Sequence, residues 1–250
     1  MSDYLQLSEI NVTFNGFRAL NGLNLSVSQG ELRCLIGPNG AGKTTTLDLI
    51  CGKTRRASGS VTFNGTKLDD LEEHEIARVG VGRKFQVPSV FRELTVEENL
   101  RVACAAQPSV FKNLLPGSRQ RDDDKIGYLA DLVGLTSELA KPASYLSHGQ
   151  TQWLEIGMLV AQDAALILMD EPTAGMTAQE TRKTADLFLR LKGKHTLIVV
   201  EHDMGFVKAI GDVISVMHMG SLLAQGTVAE IEANPQVREA YLGSGGISHA

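Results

Sequence analysis

The sequence lacks the features that mark membrane spans, disulfide scaffolds and disordered chains. Its 250 residues include 3 cysteines, 7 prolines and 1 tryptophan, and the hydrophobic fraction of 43% and charged fraction of 21% are ordinary for a globular protein. No apolar run approaches the roughly 18–20 residues that cross a bilayer, and the start, MSDYLQLSEI, has neither the basic nor the apolar region of a signal peptide. We therefore expect a folded chain that stays in the cytoplasm.

The few cysteines and the weak net charge argue against two further classes. Cys34, Cys51 and Cys104 are odd in number and have no CxxC spacing, which predicts reduced, buried thiols and not a disulfide framework or metal site. Asp and Glu number 29 against 24 Lys and Arg, a formal net charge of −5. A mildly acidic chain is a poor candidate for coating nucleic acid, so we expect no nucleic-acid partner.

The hydrophobic pattern predicts strands first, then helices, then alternating strands and helices. Loose alternation and the turn signals Asn15-Gly16 and Asn64-Gly65 predict an N-terminal antiparallel β region. A short apolar strand, Leu32–Ile36, a glycine-rich loop and a helix over Lys43–Ile50 form a βα unit. Helical periods then run from about residue 87 to 161, with amphipathic helices predicted over 125–133 and 150–161.

The remaining third returns to alternating elements. Apolar strands at 166–169 and 197–200 flank a helix over Ala178–Leu191. We expect an α/β fold and a single domain over residues 1–250. It would have a mostly parallel sheet, an N-terminal antiparallel β subdomain and an inserted α-helical subdomain at approximately 87–161.

A phosphate-binding loop is the strongest motif. The segment GPNGAGKT fits GxxxxGK[ST] and stands between a predicted strand and a predicted helix. Its glycines let backbone N–H groups converge on phosphate oxygens, Lys43 can pair with the β/γ-phosphates, and the Thr44 hydroxyl can bind Mg²⁺. The predicted nucleotide-binding residues are Gly37, Pro38, Asn39, Gly40, Ala41, Gly42, Lys43, Thr44 and Thr45. The motif predicts the core of a P-loop NTPase.

Two adjacent carboxylates end the strand at 166–169. Neighbouring side chains on a strand diverge, so Asp170 can reach the Mg²⁺ shell while Glu171 reaches a water in line with the γ-phosphate. The alternative is that Asp-Glu-Pro only ends a strand and caps a helix. With a phosphate loop in the same chain, we favour a metal ligand and a general base.

Three weaker signals gain meaning from these motifs. Ser147, Gly149 and Gln150 stand at a predicted helix start and form a candidate second anion site, although such a pattern is usually only a cap. His202 follows the strand at 197–200 and can contact a γ-phosphate, although a lone histidine is more often structural. The amide of Gln86, at the start of the helical region, can touch both Mg²⁺ and the attacking water.

In this order and spacing, the motifs resemble those of the ATP-binding subunit of an ABC transporter. GPNGAGKTT resembles the Walker A loop, LSHGQ the signature, LILMDEP the Walker B strand with its catalytic glutamate, Gln86 the Q-loop and His202 the switch histidine. The resemblance implies an ATPase in which two subunits sandwich Mg²⁺ and ATP between the Walker A loop of one and the signature of the other. Closure would drive transmembrane permease subunits.

Within that family, LSHGQ followed by QWLEIGML, together with EPTAGMT and VVEHDMGFV, resembles the importers for branched-chain amino acids and urea. Within this group, LSHGQ followed by QWLEIGML, together with GELRCLIGPNGAGKTT and GRKFQ, most resembles an ATPase subunit of the urea importer. Urea is therefore the solute that the resemblance favours, and a branched-chain amino acid is the alternative. The resemblance also implies a second ATPase subunit, as a heterodimer or homodimer, and an extracytoplasmic solute-binding protein. The subunit would be peripheral on the inner face of the membrane. A soluble ABC ATPase without a transport role is a further alternative.

Three positions depart from the family pattern. His148 replaces the first glycine of LSGGQ, and Thr177 stands where an aspartate is usual, although Thr177 to Glu180 still fits a capping box. The aromatic residue that stacks on adenine is normally Tyr. Here Phe14 is the candidate, with Phe17 a rival and a core position for Phe14 the other interpretation.

Overall fold

The computed structural model describes residues 4–84, 90–105 and 118–242. Its strands are β1 (Leu5–Phe14), β2 (Phe17–Val27), β3 (Leu32–Ile36), β4 (Ser58–Phe63), β5 (Thr66–Lys67), β6 (Val81–Lys84), β7 (Leu166–Asp170), β8 (Thr196–Val200), β9 (Val213–His218) and β10 (Ser221–Gly226). Its α-helices are α1 (Lys43–Ile50), α2 (Glu73–Arg78), α3 (Val96–Ala105), α4 (Ser118–Leu132), α5 (His148–Ala161), α6 (Ala178–Leu191), α7 (Met204–Ile210), α8 (Val228–Ala233) and α9 (Pro235–Leu242).

The chain divides into two compact units. The first comprises Met1–Gly82, Ala165–Pro172 and Leu191–Ala250, and the second comprises Arg83–Ala164 and Thr173–Arg190. The first unit holds most of the β structure, and the second is built mainly from α3, α4, α5 and α6.

An antiparallel sheet opens the first unit, in the order β2-β1-β4-β5. Asn15 and Gly16 turn β1 into β2, and Asn64 and Gly65 turn β4 into β5, all four with positive φ. Paired left-handed residues give the type of turn whose twist matches a hairpin, as the Asn-Gly sequences predict.

A larger sheet carries the strands that position the site, in the order β10-β9-β3-β8-β7-β6. Strand β3 pairs in parallel with both β8 and β9, and β7 pairs in parallel with β8, whereas β10 is antiparallel to β9. All residues of β3, β7 and β8 are buried, because helices cover parallel sheets on both faces and leave no polar side to the strands.

Apolar contacts hold the helical unit together, and a buried polar contact of Trp153 adds to them. Leu100 of α3, Leu129 of α4 and Leu154 of α5 are all buried. Trp153 Nε1 donates to Thr184 Oγ1 at 2.9 Å, so the indole can pack in this core with its N–H satisfied.

The predicted elements are largely confirmed, with three differences. Helix α4 begins at Ser118, whereas apolar periodicity predicted residues 125–133, because its first turns are too polar to show that periodicity. Phe14 is 46% exposed, so its core interpretation is wrong. Cys34 and Cys51 are buried as predicted, and burial raises the pKa of the Cys34 thiol to about 12, but Cys104 is only half-buried.

The fold prediction itself is confirmed: this is an α/β molecule with a mostly parallel sheet, antiparallel N-terminal strands and a helical unit. Within the described ranges, the helices are all too short or too polar to cross a membrane.

Candidate functional site

Three parallel strands bring the candidate catalytic residues to one edge of the large sheet. In the strand register, Leu35 of β3 lies beside Val200 of β8, and Val200 lies beside Asp170 of β7. The phosphate loop, His202 and Glu171 therefore follow the carboxyl ends of three neighbouring strands. Ligands of open α/β sheets bind at this edge.

The phosphate loop joins β3 to α1 through left-handed glycines. Gly42 has φ 99° and precedes the first residue of α1, and Gly37 has φ 151°. A Cβ on Gly37 would lie 2.3 Å from the Met217 carbonyl oxygen, so the loop lies directly against β9 and only glycine fits. The start of α1 presents backbone N–H groups and the positive end of the helix dipole to an anion.

The three threonines of α1 have different environments. Thr46 is buried, and its hydroxyl donates to the Gly42 carbonyl oxygen at 2.9 Å. Thr44 is exposed and Thr45 half-buried. Thr44 therefore has the accessible hydroxyl that the Mg²⁺ prediction requires.

Lys43 is folded back over the loop. Its Nζ donates to the carbonyl oxygens of Gly37 at 2.7 Å and Pro38 at 3.1 Å, and the side chain is buried. Burial lowers the pKa of Lys43, and the charges of Glu171 and Asp170 partly offset that shift. The two carboxylates thus act electrostatically on the lysine, as expected of groups around one phosphate site.

Glu171 and His202 form a direct pair at the edge of the sheet. His202 Nε2 lies 3.0 Å from Glu171 Oε1, and both side chains are substantially exposed. The Glu171 N–H donates to the Val200 carbonyl oxygen at 2.9 Å, which holds the residue beside β8. A carboxylate oriented by an imidazole can act as a general base toward water.

Glu171 also has an unusual backbone. Its φ is 48°, in the left-handed region that non-glycine residues rarely occupy. Asp170, one residue earlier, is buried and continues the strand. The strand geometry therefore ends at Asp170, so the alternation of strand side chains from which the sequence argument separated the two carboxylates does not extend to Glu171.

The signature segment starts α5 in the helical unit. Ser147 is the N-cap: its Oγ accepts from the Gln150 N–H at 3.2 Å, and its own N–H donates to Gln150 Oε1 at 2.9 Å. Ser147 is exposed, Gln150 is half-buried and Gly149 is buried. The capping alternative is thus observed, and it leaves the exposed hydroxyl at the helix start where an anion can bind.

Two of the three departures from the family pattern, His148 and Thr177, lie in this same unit. His148 Nε2 lies 3.0 Å from the Ala174 carbonyl oxygen, so the imidazole contacts the segment that leads to α6. Thr177 caps α6: its N–H and hydroxyl each donate to Glu180 Oε2 at 2.9 Å. The predicted capping box is confirmed.

The aromatic residues at the turn between β1 and β2 and a cavity beside the phosphate loop do not show where an adenine would stack. Phe14 and Phe17 face each other across β1 and β2, and Phe17 is 65% exposed. A cavity of about 600 Å³ is lined by Pro38 and Asn39 of the loop and by His218. Neither phenylalanine belongs to the described lining of this cavity, so adenine stacking stays a prediction. Gln86 lies outside the described residues.

Sequence reasoning missed the support for the phosphate loop. The Gly220 N–H, in the turn between β9 and β10, donates to the Ala41 carbonyl oxygen at 3.0 Å, and Asn21 N–H donates to the Gly220 carbonyl oxygen at 2.9 Å. Met217 Sδ lies 3.6 Å from Thr46 Oγ1. Met217 and Gly220 are far from the loop in sequence, and no local pattern identifies them.

The residues present fit a nucleoside triphosphate with Mg²⁺. A buried ammonium, a left-handed glycine loop and a helix N-terminus supply the positive groups, while Thr44 and Asp170 supply a hydroxyl and a carboxylate. Mg²⁺ in such sites typically takes one or two protein oxygens and completes its shell from phosphates and water.

Comparisons with known proteins identify the family. The ABC transporter family model matches residues 20–174, more than half of the chain. The chain belongs to the ABC transporter family. A model described as the branched-chain amino acid ATP-binding cassette transporter matches residues 221–247 of this ATP-binding subunit.

Curated relatives match almost the whole ATP-binding subunit. It is 37% identical over 248 residues to the high-affinity branched-chain amino acid transport ATP-binding protein LivG of Salmonella typhimurium, covering 96% of this chain and 97% of that protein. It is 36% identical to the high-affinity branched-chain amino acid transport ATP-binding protein BraF of Pseudomonas aeruginosa, with the same coverage, and 34% identical to a probable LivG of Archaeoglobus fulgidus, covering 96% and 95%.

Solved structures share the fold of the ATP-binding subunit. An ATP-binding cassette of an ABC transporter in its ADP conformation superimposes with a TM-score of 0.83 at 30% identity, covering 97% of this chain and all of that one. A nucleotide-free cassette gives 0.81 at 29% identity, covering 96% and 99%. The subunit is therefore an ABC ATPase with the cassette fold.

Proposed function

We propose that this ABC ATPase is the motor subunit of an importer for branched-chain amino acids. The observation that carries the proposal is the match to branched-chain amino acid transport ATP-binding proteins over 96% of the chain, together with the C-terminal match at 221–247. The Glu171–His202 pair beside the phosphate loop supplies the hydrolytic chemistry that such a motor needs.

The proposed roles of the residues rest on the geometry of the phosphate loop and of the Glu171–His202 pair and, for Gln86 and Phe14, on the family resemblance alone. Lys43 and the loop N–H groups hold the β/γ-phosphates, and Thr44 and Asp170 hold Mg²⁺ when it is bound. Glu171 takes a proton from the attacking water, and His202 orients Glu171 and contacts the γ-phosphate. Gln86 contributes to the metal and water site, and Phe14 stacks on adenine.

The partners are also part of the proposal. Ser147, Gly149 and Gln150 bind the γ-phosphate of ATP held by a second ATPase subunit, so ATP binding closes a dimer. Closure drives separate transmembrane permease subunits, and an extracytoplasmic binding protein delivers the solute. The ATPase works on the inner face of the membrane, and the helical insertion at about 87–161 carries its signature.

Urea is the second candidate solute. The segment LSHGQ followed by QWLEIGML favours it by resemblance, but the LivG and BraF relatives are named for branched-chain amino acids and give urea no support. Because the two importers would share the same motor chemistry, only a measurement of the solute separates them.

The test is uptake of labelled leucine and labelled urea, measured in parallel in cells that lack this gene. We expect the wild-type chain to restore leucine uptake and the Glu171→Gln chain to fail at equal expression. If deletion of the gene leaves leucine uptake unchanged and the wild-type chain restores urea uptake, the solute is urea and the proposed role as an ATPase motor stands. If Glu171→Gln restored uptake as well as the wild type, the motor itself would be wrong.

A further inference from the structure

Glu180 lies in the first turn of α6 and connects this helix to the start of α5, where the signature lies. Its Oε2 accepts from the N–H and hydroxyl of Thr177 at the start of α6, and its Oε1 accepts from the Ser147 hydroxyl at 3.2 Å. One carboxylate therefore bonds to the N-cap residues of both α5 and α6.

The carboxylate also covers Gly149. A Cβ placed on Gly149 would lie 2.6 Å from Glu180 Oε1 and 2.7 Å from its Cδ. Gly149 is buried although it lies in the first turn of α5, between exposed His148 and half-buried Gln150. The absence of a side chain at 149 is what admits the carboxylate.

The surroundings favour the ionised form of Glu180. The hydrogen bonds from Thr177 are the main cause that lowers its pKa, and the Ser147 hydroxyl and the His148 charge add to this effect. The Glu180 carboxylate thus contacts the Ser147 hydroxyl and covers Gly149, and the proposed function assigns both of these residues to binding a γ-phosphate. Both anions need the proton of the Ser147 hydroxyl, and it can be donated to only one of them at a time.

We propose that Glu180 is a positioning residue that holds the signature site in the ATP-free chain and must release Ser147 before the γ-phosphate of the second subunit's ATP can bind. This inference rests on the proposed function. If it holds, the affinity of the closed dimer for ATP depends on the Glu180 carboxylate, which is not itself a ligand of the nucleotide. Because Glu180 belongs to α6, binding of a γ-phosphate at the signature would also change a contact of the helix that follows β7 and Glu171.

The test variant is Glu180→Gln in the importer purified with its permease subunits. Glutamine serves at this position of a capping box, so α6 keeps its cap, but the neutral amide binds the serine hydroxyl more weakly than a carboxylate does. We expect the half-saturating ATP concentration for hydrolysis to be roughly fivefold lower than in the wild type, and the maximal rate to change by a smaller factor. Glu180→Asp withdraws the carboxylate from Ser147 and should also lower the half-saturating ATP concentration.

The matched control is Glu230→Gln. Thr227 and Glu230 form the same capping box at the start of α8, with Glu230 Oε2 accepting from the Thr227 N–H at 2.7 Å and from its hydroxyl at 2.9 Å. This variant should leave the half-saturating ATP concentration unchanged. An unchanged or higher value in both Glu180 variants would overturn the inference. Hydrolysis that persists in Glu171→Gln would instead overturn the proposed function.

Discussion

Glu171 is the residue at which backbone conformation and chemistry coincide. A left-handed backbone costs a non-glycine residue roughly 1–2 kcal/mol, and such positions persist where the surrounding structure holds them. Here the Val200 carbonyl oxygen fixes the Glu171 N–H, and His202 lies 3.0 Å from its carboxylate. The strained backbone at Glu171 therefore sets the direction of the carboxylate that follows β7, next to His202.

We predict that Glu171→Gln lowers ATP hydrolysis by roughly 10²–10⁴-fold, because the amide cannot accept a proton from water. ATP binding should be retained, since Lys43 and the loop are unchanged. Phosphate release and binding of a fluorescent ATP analogue measure the two properties separately.

Glu9→Gln is the matched control for that substitution. Glu9 has φ 50° and is also a glutamate with a left-handed backbone, but it lies in β1 and bonds to Asn24. It should hydrolyse ATP at the wild-type rate. If Glu9→Gln lost as much activity as Glu171→Gln, the loss would not be specific to the carboxylate beside the phosphate loop, and the general-base role of Glu171 would be wrong.

At the scale of elements, the sequence predicted the succession of strands, loops and helices better than it predicted the contacts that hold the phosphate loop and the signature in place. Strand β3, the loop and α1 were predictable because apolar runs, glycines and the GK[ST] motif are local signals. The contacts of Gly37 with Met217, of Ala41 with Gly220 and of Gly149 with Glu180 were not, because each depends on how distant segments pack.

The carboxyl ends of β3, β8 and β7 then account for the site. Each motif alone allowed a structural interpretation, and the register that aligns Leu35, Val200 and Asp170 is what brings them to one edge. Strand order is a tertiary property, so the motifs could suggest that these residues meet at the phosphates but could not give the strand register that brings them there.

We predict that Gly37→Ala destabilises the ATP-free chain by about 2–5 kcal/mol. The new Cβ would meet the Met217 carbonyl oxygen at 2.3 Å, which adds overpacking of about 1–3 kcal/mol to left-handed strain of about 1–2 kcal/mol. Denaturant unfolding without nucleotide measures the loss.

Gly16→Ala separates strain from packing. Gly16 has φ 86°, and nothing lies within 4 Å of the position that an alanine Cβ would take, so this variant should lose only the strain of about 1–2 kcal/mol. Equal losses for the two alanines would mean that contact with β9 does not constrain the loop.

At the scale of the whole molecule, ATP binding should stabilise the folded chain. A ligand at 100 times its dissociation constant adds about 2.7 kcal/mol, which corresponds to roughly 5–10 °C in the unfolding midpoint of a chain of this size. This stabilisation depends on the charge of Lys43, whose pKa is lowered by burial in the ATP-free chain.

The sign of the pH dependence follows from that shift. Bound phosphates would raise the pKa of Lys43 again, so above the lowered ATP-free value binding must take up a proton and weakens as the pH rises. We therefore predict that ATP raises the unfolding midpoint less at pH 10 than at pH 7.5, measured by differential scanning fluorimetry with and without ATP. Lys43→Met should show no ATP-dependent rise at either pH, while Lys53→Met, which alters an exposed lysine just after α1, should behave like the wild type. A midpoint shift that grows with pH in the wild type would mean that Lys43 does not carry the charge that holds the phosphates.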